Sequence, residues 1–153
     1  MPPANMANRP QSENGFPREY FETHFRAEAE DHVWPDEFAI VTAWATTGEC
    51  WTDEKNWQED RALEAELRKH DVWLTRLTGF SPRTGYSEPG WAVALPFEVV
   101  CDIGKTFKQV AIFYVHFDKL GVSFCDHRRS LLEFGQFSNR LCVDVNAVLL
   151  RPN

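Results

Sequence analysis

The apolar segment at residues 110–117, VAIFYVHF, constrains the fold more than any other part of the chain. β-branched and aromatic residues dominate it, and its apolar side chains occupy successive positions, which is typical of a strand covered on both faces. Residues 118–121 then supply a turn, and residues 122–125 are predicted to pair back as a hairpin. The chain therefore requires a sheet with buried strands.

The other segments complete an alternating pattern. Further strands are predicted at residues 38–44, 72–78 and 91–95. Helices are predicted at residues 53–70, where Thr52 can act as the N-cap, and at 96–108, which open with a proline. The resulting order, β-α-β-β-α-β-β, begins like the ferredoxin-like, or split βαβ, arrangement.

We therefore predict an α+β fold with a mainly antiparallel, ferredoxin-like sheet and both helices on one face. A C-terminal hairpin extension follows from the last two strands. Residues 18–32 add an N-terminal helix, because Tyr20, Phe21, Phe25 and Ala29 recur at helical spacing.

A chain of 153 residues suits one domain, which we place at residues 18–153. Residues 1–17 are rich in proline and asparagine and are predicted to form a disordered N-terminal tail.

Composition excludes several functional classes. With 16 basic and 23 acidic side chains, the chain lacks the dense positive surface of a nucleic-acid-binding protein. No segment has the roughly 20 apolar residues that cross a membrane. The four cysteines lack paired spacing, and no secretory signal is visible, so we expect a cytoplasmic protein with reduced thiols.

The acidic residues are concentrated in the first half of the chain. Residues 1–66 contain 15 acidic and 5 basic side chains, whereas residues 67–153 contain 8 and 11. A solvated surface that maintains solubility explains this distribution. A surface that docks on a basic protein partner is the alternative.

Standard catalytic and phosphate-binding motifs are absent from the sequence. The group that comes nearest to a metal site is Cys125, Asp126 and His127, with His116 opposite in the predicted hairpin. Its spacing matches no known zinc pattern, and strand alternation can separate the side chains. We therefore predict no metal and no cofactor.

A more informative polar set lies at the ends of the predicted elements. Asn56 begins the first helix, Glu88 precedes the third strand, Gln109 enters the fourth, and Thr42 interrupts an apolar strand. A carboxylate and two amides can bind a polar ligand, and Glu88 is the candidate catalytic acid or base if burial raises its pKa. The same residue types also satisfy loop amides and helix ends, so a structural role is the competing interpretation.

Several of these segments resemble the bacterial family catalogued as domain of unknown function 3293. The resemblance rests on FAIVTAW, on Asn56 with RALEAEL, on Gly79 with Glu88-Pro89, on FKQVAIFYV, and on the G-x-F-x-x-R-L pattern at residues 135–141. It implies no reaction. The polar positions that recur in the family match five residues of this chain, which form our predicted ligand-binding set: Thr42, Asn56, Glu88, Gln109 and Arg140.

Three functions follow as hypotheses. The preferred one is binding of a small polar molecule or a protein partner. The alternatives are an enzyme that uses Glu88 as general acid or base, and an acidic inhibitor or immunity-type protein that docks on a basic partner.

Overall fold

The computed structural model describes residues 15–28, 33–46 and 49–143 of the chain. These residues contain two α-helices, α1 (Asp53–Arg68) and α2 (Phe97–Thr106), and short 3-10 turns at Arg18–Tyr20 and Phe137–Asn139. The eight strands are β1 (His24–Ala27), β2 (Glu37–Val41), β3 (Leu74–Phe80), β4 (Ser87–Val93), β5 (Ala111–His116), β6 (Lys119–Phe124), β7 (Leu132–Gln136) and β8 (Leu141–Val143).

All eight strands belong to one mixed sheet, in the order β7-β6-β5-β2-β4-β3-β1-β8. Strands β1 and β8 pair in parallel, whereas the other neighbouring strands pair antiparallel. The predicted ferredoxin-like fold with an N-terminal helix is wrong, because the sheet has eight strands and is mixed, and β1 lies where the helix was expected. That fold has four strands, and the structure adds strands beyond both of its edges.

The sheet curls strongly into a half-barrel. Only residues 137–140 separate β7 at one edge from β8 at the other, so the chain can bridge at most ~17 Å between them. The edge strands of a flat eight-stranded sheet lie ~34 Å apart. Across the concave face, the rings of Phe25 on β1 and Phe113 on β5 approach to 5.3 Å, although three strands lie between them.

The two faces of the sheet bury different cores. Along β2, Phe38 and Ile40 point to the concave core, and Ala39 and Val41 point to the convex face. On the convex face, buried side chains of both helices form one hydrophobic cluster with Val41, among them Leu63, Leu67, Val100 and Cys101. Strand β2 is apolar on both sides because each side is covered.

Helix α1 forms where the sequence predicts it. The Oγ1 atom of Thr52 accepts a hydrogen bond from the backbone N–H of Lys55 at 3.1 Å, which caps the helix. Buried side chains then recur on one helical stripe: Asn56, Asp60, Leu63 and Leu67. None of the helices in the described ranges combines the length and the apolar character that crossing a membrane requires.

The predicted N-terminal helix is absent from the part of residues 18–32 that the structure describes. A 3-10 turn occupies Arg18–Tyr20, and residues 24–27 form β1, in which Phe25 and Ala27 are buried. Tertiary pairing with β3 and β8 decides this conformation, because two-residue alternation buries both side chains in the concave core. Phe16, assigned to the tail, is also buried and stacks on Phe124 at 4.1 Å, whereas residues 1–14 lie outside the described residues.

Candidate functional site

Thr42 lies at the centre of a buried polar group inside the half-barrel. It follows β2 and continues the alternation of Phe38 and Ile40, so its side chain enters the concave interior. Its hydroxyl lies 3.2 Å from Oε1 of Glu88 and 3.1 Å from Oε1 of Gln109. A hydroxyl carries a single hydrogen, so Thr42 donates fully to only one of these oxygens at a time.

The amide of Gln109 has a fixed orientation. Its Nε2 donates to the backbone carbonyl oxygens of Trp44 at 2.9 Å and Phe107 at 3.3 Å. Both are acceptors, so the amide oxygen must face Thr42. Gln109 is only 5% exposed, and this arrangement ties the start of β5 to the end of β2.

Glu88 contributes a carboxylate that is 2% exposed. It lies on β4 opposite Gly79 of β3, and its Oε2 accepts a hydrogen bond from the hydroxyl of Tyr86 at 2.8 Å. Burial, with a smaller contribution from Cys50, raises the pKa of Tyr86 to about 12, so this hydroxyl keeps its hydrogen at neutral pH. The carboxylate therefore receives a neutral donor from Tyr86, which immediately precedes β4.

Gly90 allows β4 to approach Thr42 closely. A Cβ atom built at this position would lie 2.6 Å from Cγ2 of Thr42 and 2.8 Å from the carbonyl oxygen of Val41. No side chain fits there without displacement of the backbone or of Thr42.

Thr42 and Glu88 line a cavity of about 60 Å³ on the concave side of the sheet. Tyr20 and Glu19 enter its wall from the 3-10 turn that precedes β1. The remaining lining combines aromatic rings with small hydroxyl side chains: Thr23, Phe25, Ile40, Gly79, Phe80, Ser81, Thr84, Tyr86, Ala111 and Phe113. An apolar wall with a few polar groups at fixed positions is the usual form of a ligand site.

The five predicted ligand-binding residues do not all meet at this cavity. Thr42, Glu88 and Gln109 form one hydrogen-bonded group. Asn56 is buried on α1, where its Oδ1 accepts from the backbone N–H of Ala45 at 2.9 Å, and it does not line the cavity. This contact secures the loop between β2 and α1.

Arg140 lies away from the Thr42 group. Its Nη1 donates to the carbonyl oxygens of Phe21 at 2.8 Å and Thr23 at 3.0 Å, and its guanidinium lies 5.4 Å from the ring centroid of Phe134. Through these contacts Arg140 fastens the segment that precedes β1 to the segment that precedes β8.

The sequence reasoning missed several polar residues of the cavity, among them Tyr86 and Glu19. Tyr86 was detectable only by extending the predicted third strand back from residue 91, because residues two apart on an extended segment share a face and Glu88 was already a candidate. Glu19 gave no such signal. It was assigned to a helix, and the curl of the sheet alone carries its segment to the cavity.

The residues of the metal hypothesis are not assembled into a site. Cys125 is buried against the helices, and burial raises its pKa to about 12. His116 is half exposed, and its Nδ1 lies 2.6 Å from Oε1 of Glu37. Within residues 15–28, 33–46 and 49–143, no three His, Cys, Asp or Glu side chains are placed to hold a metal ion.

Comparison with known proteins gives one match. No curated protein and no solved structure matches the chain. Residues 41–112 match the model of a family that is described as "Protein of unknown function (DUF3293)". The matched stretch runs from the last residue of β2 into β5 and includes Thr42, Asn56, Glu88 and Gln109 but not Arg140. Over this stretch, the resemblance predicted from the sequence is confirmed.

Proposed function

We propose that the protein binds a small polar molecule in the concave cavity. Thr42 and Glu88 contact the ligand, and Gln109 positions the hydroxyl of Thr42. The observation that carries this proposal is the placement of the Glu88 carboxylate, which is buried in a cavity wall and fixed by hydrogen bonds to Tyr86 and Thr42.

The energetics of burial support a ligand-related role for this group. A purely structural position of this kind is usually filled by an apolar side chain, because removing a carboxylate from water is unfavourable. The hydrogen bonds fix the carboxylate in one orientation before a ligand arrives, which lowers the entropy lost on binding.

A thermal-shift screen of small polar compounds tests the proposal. A compound at 100 times its Kd stabilises the folded state by about 2.7 kcal/mol, which raises Tm by ~5–11 °C for a domain of this size. Thr42→Val removes the hydroxyl at nearly constant volume and is expected to weaken binding at least tenfold. Thr106→Val is the matched control, because Thr106 bonds only to its own helix at an exposed position. Equal affinity of both variants would contradict the assigned site.

The enzyme hypothesis rests on the same carboxylate. Glu88 lies within hydrogen-bond distance of two hydroxyl groups in the cavity wall, and such groups can relay a proton to or from a bound molecule. For any compound that binds and is converted, Glu88→Gln is expected to abolish turnover even at concentrations that saturate the variant. Turnover that survives this substitution would eliminate Glu88 as acid or base.

We also propose that the protein functions in the cytoplasm. All four cysteines are free thiols in the structure, which supports a reducing compartment. Mass spectrometry of the protein purified without reductant tests this, because disulfide formation between any two of them would contradict the proposal.

A further inference from the structure

The charged side chains that line the cavity are all acidic. Its lining includes two carboxylates, Glu88 on β4 and Glu19 in the 3-10 turn before β1, which approach from different elements. Among the described residues that line it, none is Lys, Arg or His. Low-dielectric walls strengthen the field of buried charges, so the interior favours positive charge and disfavours anions.

A third carboxylate near the rim, Glu22, shares one arginine with the cavity. Glu22 pairs with Arg18 at 3.0 Å and with Arg83 at 3.1 Å. Arg83 also pairs with Glu19, at 3.6 Å. Glu22 does not line the cavity, so Arg83 is shared between one carboxylate in the cavity wall and one outside it.

Aromatic rings complete this environment. Tyr20, Phe25, Phe80 and Phe113 all contribute to the wall. The faces of such rings attract cations through their quadrupole, and this attraction increases when water is excluded. The carboxylates and the rings therefore favour the same kind of ligand.

The size of the cavity limits what can enter. About 60 Å³ accommodates only a few water molecules, whereas typical pockets for whole metabolites measure ~300–1,000 Å³. A compact head group fits, and the remainder of a larger molecule must stay at the mouth.

We infer that the ligand of the proposed binding site enters the cavity through a compact organic nitrogen cation, a guanidinium or a primary ammonium group. The N–H donors of this group contact Glu88 and Glu19, and its apolar surface lies against the aromatic rings. This inference rests on the proposed binding function and specifies its ligand class.

Matched probes test the charge requirement. Methylguanidinium, methylurea and acetate are titrated into the full-length ¹⁵N-labelled protein, and Kd values are obtained from the amide shifts of Thr42, Gly79 and Glu88. Methylguanidinium and methylurea have nearly the same shape, but only the first is charged. We expect methylguanidinium to bind at least tenfold more tightly than methylurea, and acetate to cause no shift at these residues.

Single-residue variants identify which carboxylates bind the cation. Glu19→Gln is expected to weaken methylguanidinium binding at least fivefold, and Glu88→Gln at least tenfold. Glu64→Gln serves as the matched control with unchanged Kd, because Glu64 pairs with Arg68 on the surface of α1 and does not line the cavity. If Glu88→Gln fails to fold, the probe series on the unmodified protein and Glu19→Gln still decide the question.

The possible failures can be distinguished. Equal binding of methylurea and methylguanidinium at the cavity, or preferential binding of acetate, overturns the cation inference and leaves the binding function standing. If these probes leave the cavity amides unshifted and no compound in the thermal-shift screen raises Tm, both proposals fail. Equal loss of affinity in Glu64→Gln and Glu19→Gln would show an effect of total protein charge and would also overturn the inference.

Discussion

Asp60→Ala removes the centre of a buried polar network that connects α1 to the sheet. The Asp60 side chain is 2% exposed and accepts two parallel hydrogen bonds from the guanidinium of Arg76, at 2.7 and 2.8 Å. The indole Nε1 of Trp91 donates to the same carboxylate at 3.2 Å. Arg76 also lies 3.9 Å from the ring centroid of Trp91, so the three side chains form one unit.

The magnitude of the loss follows from this geometry. Removal of one partner from a buried ion pair typically costs ~3–5 kcal/mol, because the other charge remains without compensation. The side chain of Arg76 is 23% exposed, so water recovers part of its solvation, and we expect the lower end of this range, about 3 kcal/mol. For a domain of this length, that loss lowers Tm by ~6–12 °C.

Urea denaturation followed by tryptophan fluorescence measures the free energy of unfolding. Glu64→Ala is the matched control, because Glu64 lies one turn further along α1 and pairs with Arg68 at 2.7 Å on the surface. Its expected cost is ~0.5 kcal/mol or less. A loss below about 1 kcal/mol for Asp60→Ala, or equal losses for both variants, would refute the assignment of a buried network.

The remaining predictions concern packing and titration. Gly90→Ala should destabilise the protein by ~1–3 kcal/mol, because its Cβ would collide with the Thr42 side chain, whereas Gly79→Ala, with no neighbour closer than 3.5 Å, should cost less than half as much in the same urea assay. Equal costs would contradict the close approach. Burial raises the pKa of Cys101 to about 11 and that of Cys125 to about 12, so a thiol reagent at pH 8 should rapidly label only the exposed pair, Cys50 and Cys142. Rapid labelling of a third thiol in the folded protein would be inconsistent with these burials. The pKa of Tyr86 is 10.0 in the unfolded chain and about 12 when folded, so its contribution to stability is complete below pH 10 and is lost as the pH rises through 12. In the Tyr86→Phe variant, the urea midpoint should therefore fall less between pH 10 and pH 12 than it does in the unmodified protein. A fall of the same size in both proteins would contradict this contribution of Tyr86.

Local structure was predictable from the sequence wherever the pattern that specifies a helix or a hairpin lies within one segment. The cap at Thr52 and the apolar stripe through Leu63 and Leu67 predict α1. The continuous apolar residues of β5 and the turn after it predict the β5–β6 hairpin. The contact of Thr42 with Glu88 and Gln109 was partly predictable, because Glu88 and Gln109 lie at the ends of detectable elements and Thr42 interrupts an apolar strand.

The overall fold could not be predicted, because the strands that close the half-barrel carry weak local signals. Strand β1 is four residues long, and Phe25 on it also continues a helical spacing with Tyr20 and Phe21 before it. Strand β8 is three residues long and forms by pairing with β1. For Asn56, Gln109 and Arg140, a polar side chain at an element end looks the same in the sequence whether it faces a cavity or satisfies a backbone group.

The parallel pairing of β1 with β8 also constrains when the protein can complete its folding. Phe25 is aligned with Leu141, so the entire stretch between these two residues must leave the ribosome before the two strands can meet. Contacts this remote in sequence are slow to form, because a long loop must close first. The segment that carries Glu19 and Tyr20 leads directly into β1, yet its contacts are complete only after Arg140 and β8 have been synthesised.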